Sequence, residues 1–232
     1  APVAGNANAR IILTGAGISA DSGLNTFRDA GGLWEGQRVQ DVATPEAWAR
    51  NPQMVLDFYN QRRRQAAEAE PNAAHKALVR LEPYYHVQII TQNVDNLHER
   101  AGSSRVLHLH GELNKLRSSA DEHEIIEWTG DQTLADADSQ GRPLRPHIVW
   151  FGEEVPLFGQ ALAEMEDADV VMVVGTSLQV YPAASLLQFA PHQAAVYLID
   201  PQPQRLPGVE VMAEKAKEGV PKLVDNLIRQ AV

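Results

Sequence analysis

The stretch Gly15-Ala16-Gly17-Ile18-Ser19-Ala20-Asp21-Ser22-Gly23 follows the apolar run Ile11-Ile12-Leu13-Thr14 without a spacer. This reads as a buried strand, a tight glycine turn and the start of a helix. Such a turn presents backbone N–H groups and the positive end of a helix dipole to a phosphate. Gly15 and Gly17 permit the sharp turn and close approach to a pyrophosphate. Ala20 stands where a small residue lets helix and strand pack. The pattern predicts a nucleotide site.

A plain dinucleotide fold would place a second strand, ending in an acidic residue, about 20 residues further on. The chain instead runs Leu24-Asn25-Thr26-Phe27-Arg28-Asp29-Ala30-Gly31-Gly32-Leu33-Trp34, which reads as a loop. Long loops beside phosphate sites are more often functional than idle. Arg28 is positioned to meet a phosphate and Phe27 to shield a reactive sugar. The plainer alternative is a surface loop with one buried aromatic.

The 232 residues suffice for one large α/β domain, or one domain with an inserted module. A net charge of −10 argues against a general nucleic-acid binder, which needs clustered Lys and Arg. An acidic surface tolerates, and weakly steers, a basic partner such as a lysine-bearing protein segment. Arg62-Arg63-Arg64 is the only basic run, and a solvated helix face is the expectation for it. The absence of cysteine excludes disulfides, thiol catalysis and thiolate metal sites. No apolar run reaches membrane-spanning length and no signal peptide is visible, so a cytoplasmic location is expected, with no membrane partner.

Runs suited to buried parallel strands recur at Ile11–Thr14, Val87–Thr91, Ile148–Phe151, Val170–Val174 and Val196–Ile199. The alternating Val106-Leu107-His108-Leu109-His110 predicts a shorter strand. Helical spacing marks Ala73–Leu81 and Leu157–Met165. It also marks Val220–Val232, with Pro221 near the first turn. Alternating strands and helices imply an α/β, doubly wound parallel sheet. Gln37 to Asn72, helical and polar, and Asn114 to Arg145, rich in Asp, Glu, Ser and Gly, fit this scheme poorly. Both read as excursions forming a smaller lobe.

Three clusters carry chemistry. Gln92, Asn93 and Asp95 lie in the loop after the strand at Val87, where the carboxyl ends of parallel strands form a ligand crevice. They contact a ligand there, or Asn93 or Asp95 caps the next helix. His110, ending the strand at Val106, is a general-base candidate, since a positioned base contributes roughly 10²–10⁴-fold in rate. Gly175, Thr176 and Ser177 follow the strand at Val170, and Asp200 ends the strand at Val196. These suit phosphate or ribose contacts, or helix caps.

Together G-A-G-I-S-x-x-S-G-L-x-T-F-R, Q-N-V-D-N-L-H, an H-G pair after a short strand, P-H-I-V-W-F-G-E and G-T-S closely resemble the sirtuins, the NAD-dependent protein lysine deacylases. The resemblance covers Ile11 to about Leu227. It implies a Rossmann-like NAD-binding domain from residues 1–36, 80–113 and 146–232. The small lobe would be residues 37–79, a helical insertion, and 114–145, a remnant of the zinc module. NAD is the implied cofactor and acylated lysine side chains of proteins are the implied partners.

By this resemblance the glycine turn through Trp34 wraps the pyrophosphate and nicotinamide ribose, with Gly15, Ala16, Gly17, Ser19, Phe27, Arg28 and Trp34 as contacts. Gln92, Asn93 and Asp95 hold the ribose and carboxamide. Gly175, Thr176, Ser177, Asp200 and Ala216 line the adenosine half. Phe151, Gly152 and Glu153 lie against the acyl-lysine peptide, which adds as a short strand. The acyl oxygen attacks C1′ of the nicotinamide ribose and nicotinamide leaves. His110 deprotonates a ribose hydroxyl, and the products are free lysine and O-acyl-ADP-ribose. Water must be kept from the reacting carbon.

Tyr59 and Arg62 stand at i, i+3 on one helix face. They resemble the Tyr-x-x-Arg pair of the branch that takes acidic acyl groups, succinyl and malonyl. Arginine's planar fork suits a carboxylate, and tyrosine adds a donor. A charged hydrogen bond of about 1.5–3 kcal/mol implies roughly 10–100-fold preference over acetyl. Alternatively, Tyr59 packs in the small lobe and Arg62 is surface. The sequence departs from the family at the zinc module, whose two Cys-x-x-Cys pairs are missing. Ser118 stands where the first cysteine belongs, and Asp121, Glu122, His123, Asp136 and Asp138 lack tetrahedral spacing. No zinc is expected, and Leu116, Ile125, Ile126, Trp128 and Leu134 are expected to hold the module. Asp200 replaces a common asparagine. The rival readings are an NAD hydrolase or ADP-ribosyltransferase, and a catalytically weak acyl-lysine-binding module.

Overall fold

The run Val170–Val174 contains no polar side chain, and every residue in it is buried. Such a strand needs cover on both faces. The computed structural model describes residues 10–15, 17–24, 33–176 and 183–232. In it β9 (Val170–Val174) lies between β1 (Arg10–Gly15) and β10 (Ala195–Ile199) in a six-stranded, all-parallel sheet. The strand order is β11 (Val209–Met212), β10, β9, β1, β4 (His86–Thr91), β5 (Val106–His108). The chain moves outward from β1 through β4 to β5, then returns to β9 and moves outward the other way. The reversal leaves a crevice at the carboxyl ends of β1 and β9, where open α/β sheets bind ligands.

Helices cover both faces. On one, α4 (Ala73–Val79) and α8 (Ala216–Ala231) bury Leu78, Val220, Leu223, Val224 and Leu227 against Ile89, Met172 and Ile199. On the other, α6 (Phe158–Glu166) and the single turn α7 (Ala183–Leu186) bury Ala161, Met165 and Leu186 against Val171 and Val173. α8 begins four residues before the expected start, so Pro221 lies inside it rather than near its first turn. The amides of Glu218 and Gly219 already close the first turn on the Lys215 carbonyl. Gly219 is required there, because a Cβ would come within 2.7 Å of the Ile199 side chain.

The predicted strand Ile148–Phe151 does not join the parallel sheet. The strand is β8 (Leu144–Ile148), which pairs antiparallel with β6 (Gly111–Ser118). β7 (Ile125–Glu127) flanks β6 on the other side. Val149 and Phe151 leave the strand to bond the carbonyls of His110 and Ala43, each at 2.9 Å. The run is apolar because Trp150 is buried in a second core with Val55, Phe58 and Tyr59, and periodicity cannot tell that from a sheet interior. The three-stranded sheet that spans residues 111–148, across the polar 114–145 region, was not expected.

That second core is built on three helices, α1 (Val39–Val42), α2 (Pro45–Arg50) and α3 (Pro52–Glu68). Thr44 and Asn51 cap α2 and α3 through the amides of Ala47 and Met54, and a proline opens each helix. Leu33 and Trp34, read as loop, form β2 (Leu33–Trp34), which pairs with β3 (Gln37–Arg38). Glu35 and Gly36 turn between them at φ of 49° and 78°, the left-handed region that a two-residue hairpin demands. The short α5 (Leu97–Ala101) follows β4. Among the described residues no helix is long and apolar enough to cross a membrane.

Candidate active site

The glycine turn meets β9 directly. The Gly17 amide donates to the Gly175 carbonyl at 2.6 Å, and a Cβ on Gly17 would lie 2.4 Å from that oxygen. A Cβ on Gly175, at φ of 60°, would lie 2.6 Å from the Gly17 Cα. Two side-chain-free residues therefore bring the ends of β1 and β9 into backbone contact. Gly15 ends β1, and buried Thr176 follows Gly175. Asp200 sits at the end of β10, where its carboxylate accepts the Gln202 amide at 2.8 Å as a turn cap. Ala216 opens α8 and is buried in the core. Ala16, Phe27, Arg28 and Ser177 lie outside the described residues.

After the glycine turn, Ser19 joins a buried chain of polar groups. The Asn72 amide donates to Nδ1 of His75 at 3.1 Å, which places the ring proton on Nε2, 3.4 Å from the Ser19 hydroxyl. Burial pushes the His75 pKa down to about 4, so the ring is neutral. Asn93 Nδ2 donates to Ser19 Oγ at 3.2 Å. Asp95 accepts from the Leu97 amide at 3.0 Å and from Ser19. Burial raises the Asp95 pKa, and those hydrogen bonds partly oppose the rise. Asp95 thus binds the first amide of α5, whose N-cap residue is Asn96, and also lines the cavity. His75 carries no sequence signal beyond the capping-box spacing from Asn72.

A cavity of about 710 Å³ opens in front. It brings together Trp34, Tyr59, Arg62, Gln92, Asn93, Asp95, His110 and the Phe151–Glu153 turn; Gly15, Gly17, Ser19, Gly175, Thr176, Asp200 and Ala216 are not among its lining. His110 lies in the turn after β5, which ends at His108. Burial lowers the His110 pKa, and a hydrogen bond to the Gln92 carbonyl partly offsets this. Since a carbonyl only accepts, that ring nitrogen carries the proton and the other is left unprotonated. The neighbouring Gly111, at φ of 90°, has no room for a Cβ, which would lie 2.0 Å from the His147 carbonyl.

At one side of the cavity Trp34 stacks edge-on against Phe58 and Tyr59, at 5.0 and 5.9 Å between centroids. Trp150 Nε1 donates to the Tyr59 hydroxyl at 3.0 Å. The Arg62 guanidinium lies 4.9 Å over the Phe58 ring and is only 8% exposed. Its Nε has no hydrogen-bond partner among the described residues. Burial weighs against its charge, and nearby Glu35 supports it. The expected solvated arginine face is therefore wrong for two of three residues. Arg62 and Arg63 are buried, and Arg63 donates to the Leu113 carbonyl and to Asn60 Oδ1, both at 2.7 Å. Only Arg64 is exposed, paired with Asp131.

Phe151 is exposed at the rim, and Gly152 turns at φ of 90°. Glu153 is held inward. Arg145 reaches it through Nη1 and Nη2 at 2.8 and 2.9 Å, and its Oε1 accepts the Trp150 amide at 2.8 Å. The Arg145 guanidinium also stacks 3.6 Å over the Trp150 ring. Sequence reasoning missed Trp150, Arg145 and Arg63, whose partners lie in distant parts of the chain.

The residues of the 114–145 region do not fit a zinc ion. Ser118 donates its hydroxyl to Asp138 at 2.6 Å, Asp121 accepts the His123 amide, and Asp136 accepts the Thr133 amide at 2.7 Å. Each oxygen serves a turn, and no thiolate is available. Elsewhere Glu99, His108 and Glu112 converge, but His108 and Lys115 already balance the two carboxylates.

The chain matches the Sir2 family model over residues 15–182. It is 55% identical over 224 residues to an NAD-dependent protein deacylase of Helicobacter pylori strain J99, covering 95% of this chain and 96% of that one. It is 50% identical over 227 residues to a protein of the same name from Bacteroides thetaiotaomicron, covering 94% and 97%. Among solved structures, a Sir2 homologue in complex with NAD superposes with a TM-score of 0.86 at 39% identity, over 96% of this chain and 90% of that one. Sir2Tm bound to a propionylated peptide gives 0.76 at 27% identity, over 94% and 92%. A glycine-to-glycine contact at the sheet's switch point, a cavity near the strand ends and a family match over most of the chain lead to one conclusion: this protein belongs to the Sir2 family.

Proposed function

We propose that this NAD-dependent protein deacylase takes its preferred substrates from lysines carrying a succinyl or malonyl group. The observation that carries the reading is Arg62, buried, lining the same cavity as Tyr59, with an Nε that has no partner among the described residues. A buried cation with an unmet donor is costly. A carboxylate at the end of the acyl chain meets both groups, and acetyl meets neither.

In this reading bound NAD supplies the ribose carbon that the acyl oxygen attacks, with nicotinamide as the leaving group. Gly15, Gly17, Gly175 and Thr176 form the cradle for its phosphates. Ser19, Asn93 and Asp95, fixed to one another and to His75, hold the ribose side with little reorganisation. His110, neutral through burial, takes a ribose hydroxyl proton on its unprotonated ring nitrogen. Trp34 and Trp150 exclude water. The acyl-lysine segment lies along Phe151–Glu153, whose backbone is fixed by Glu153 itself. Residues 37–79 and 114–145 form the small lobe over the large sheet.

One peptide bearing acetyl-, succinyl- or malonyl-lysine tests this, with nicotinamide and deacylated peptide both counted. Faster removal of the acidic groups is the expected outcome. Faster acetyl removal discards the Tyr59–Arg62 pocket and keeps the deacylase. Nicotinamide release without deacylated peptide moves the protein to NAD hydrolysis or ADP-ribosyl transfer.

A further inference from the structure

The zinc module of this chain is not closed by apolar packing. Of the five residues expected to hold it, only Leu116 is buried, while Ile125 and Leu134 are 43% and 50% exposed. Polar groups close it instead. Ser118, ending β6, accepts the amides of Ala120 and Asp121 at 3.1 and 3.0 Å on its Oγ. Twenty residues on, Asp138 Oδ1 accepts the amides of Gln140 and Arg142 at 2.9 and 2.8 Å. Each oxygen is thus wrapped by a tight turn. The two turns are joined by the 2.6 Å bond from Ser118 to Asp138 Oδ2, which also takes Arg142 Nε at 2.8 Å. Joining two such turns is the task a structural metal performs with thiolates. Here a hydroxyl, a carboxylate and a guanidinium suffice, because their charges and hydrogen bonds are mutually satisfied.

The clamp is coupled to the site. Ser118 pairs with Leu144, and the next register pair is Arg117 with Arg145. Both arginines converge on Glu153, at 3.5 and 2.8 Å. Glu153 holds the Trp150 amide, and Trp150 holds Tyr59.

We propose that the Ser118–Asp138–Arg142 clamp replaces the family's structural metal and, by keeping Arg117 and Arg145 in register, positions Glu153 and Trp150 at the acyl-lysine site. Ser118 and Asp138 are positioning residues and touch no substrate. Burial alone would raise the Asp138 carboxyl pKa, but Ser118, Arg142 and Gln140 hold it well below the usual range. The clamp therefore stays intact through any neutral or mildly acidic assay.

The test uses the full chain, purified and dialysed against a chelator. The proposal expects no stoichiometric zinc before dialysis, and the same unfolding midpoint before, after, and with zinc returned. Ser118→Ala should speed hydrogen exchange at the amides of Ala120, Asp121, Gln140 and Arg142 by roughly tenfold or more. It should raise the KM for the fastest-cleaved acyl peptide, whichever acyl group that is, leave the KM for NAD unchanged, and be rescued by Ser118→Thr. If Ser118→Ala does not fold, Arg142→Gln, which removes only the outer arm, provides the same readouts. Stoichiometric zinc with a midpoint that falls on chelation overturns the proposal. So does unchanged exchange at those four amides, or an unchanged peptide KM.

Discussion

Trp150 Nε1 donates to the Tyr59 hydroxyl oxygen at 3.0 Å, and both side chains are buried. Burial raises the Tyr59 pKa well beyond its usual value, so the phenol keeps its proton in any ordinary assay. Because the oxygen already accepts from the indole, that proton is left to donate, and a substrate carboxylate is the acceptor the proposed pocket supplies. Tyr59→Phe should lower kcat/KM for succinyl peptide about tenfold and leave the KM for NAD unchanged. It also strands the indole N–H, costing about 1–3 kcal/mol of stability. Acyl-peptide kinetics with a thermal melt check both.

His108 sets the pH dependence of the fold near the site. It bonds the Asn93 carbonyl at 2.9 Å and Glu99 at 2.7 Å, with Glu112 at 3.7 Å and Lys115 behind Glu112. Burial opposes its charge most strongly, but Glu99, Glu112 and the Asn93 carbonyl together outweigh it and the pKa rises. Its contribution to stability is therefore full below its unfolded value near 6.5 and is lost as pH rises through the folded value. Burial would raise the pKa of Glu99, but His108 lowers it, so its contribution holds above about 4.3 and fades as pH falls through its folded value. The pair supports the fold most between about pH 4.5 and 6.5. Buried His75 and His147, both lowered to about 4, act oppositely and cost stability below 6.5. His108→Gln should lower the unfolding midpoint more at pH 6 than at pH 8.5. Equal losses at both values would remove protonated His108 from the account.

The sheet was legible where composition left one option. Val170–Val174 is buried throughout, and only a strand covered on both sides accommodates it. The glycine turn was legible because Gly17 and Gly175 have no substitutes at their distances. The solvated-face expectation for the arginine run failed at Arg62 and Arg63, although Arg62 was also read as half of a pocket pair with Tyr59. A helical run shows which residues share a side, but not that the carbonyl of Leu113, 50 residues away, awaits Arg63. The clamp from Ser118 to Asp138 was invisible for the same reason. Its parts are ordinary surface residues until two turns bring them together. The run at Ile148 was apolar for a cavity wall, and hydropathy does not distinguish a wall from a sheet.

The contact between Gly17 and Gly175 is backbone on backbone, so neither side can yield. An alanine methyl at position 17 would lie 2.4 Å from the Gly175 carbonyl that the Gly17 amide bonds. Gly17→Ala should cost about 1–3 kcal/mol or more, a midpoint fall of roughly 3–10 °C. Calorimetry should show weakened NAD binding even where the variant folds. Wild-type NAD affinity in a folded Gly17→Ala variant would move the phosphates away from this cradle.

His110 holds its ring proton toward the Gln92 carbonyl, with the opposite nitrogen free at neutral pH. Its removal should take away a proton acceptor and little binding energy. His110→Ala is expected to lose about 10²–10⁴-fold in deacylation while the Kd for NAD stays within a few-fold. Near-normal turnover would sink its role as base.

Arg62 offers the sharpest separation between a specificity residue and a structural one. Its guanidinium packs over Phe58 at 4.9 Å, and its buried Nε has no partner among the described residues. Arg62→Met keeps the length and the contact with Phe58 and removes the charge. A residue that served the fold would be missed on melting. A residue waiting for a carboxylate would be missed little, because burial weighs against its charge more than nearby Glu35 supports it. Arg62→Met should therefore hold or raise the unfolding midpoint while kcat/KM for succinyl and malonyl peptides falls roughly 10–100-fold. Acetyl turnover should be unchanged or improved. A variant that melts early and slows all three peptides alike would make Arg62 a structural residue and return the acyl preference to open ground.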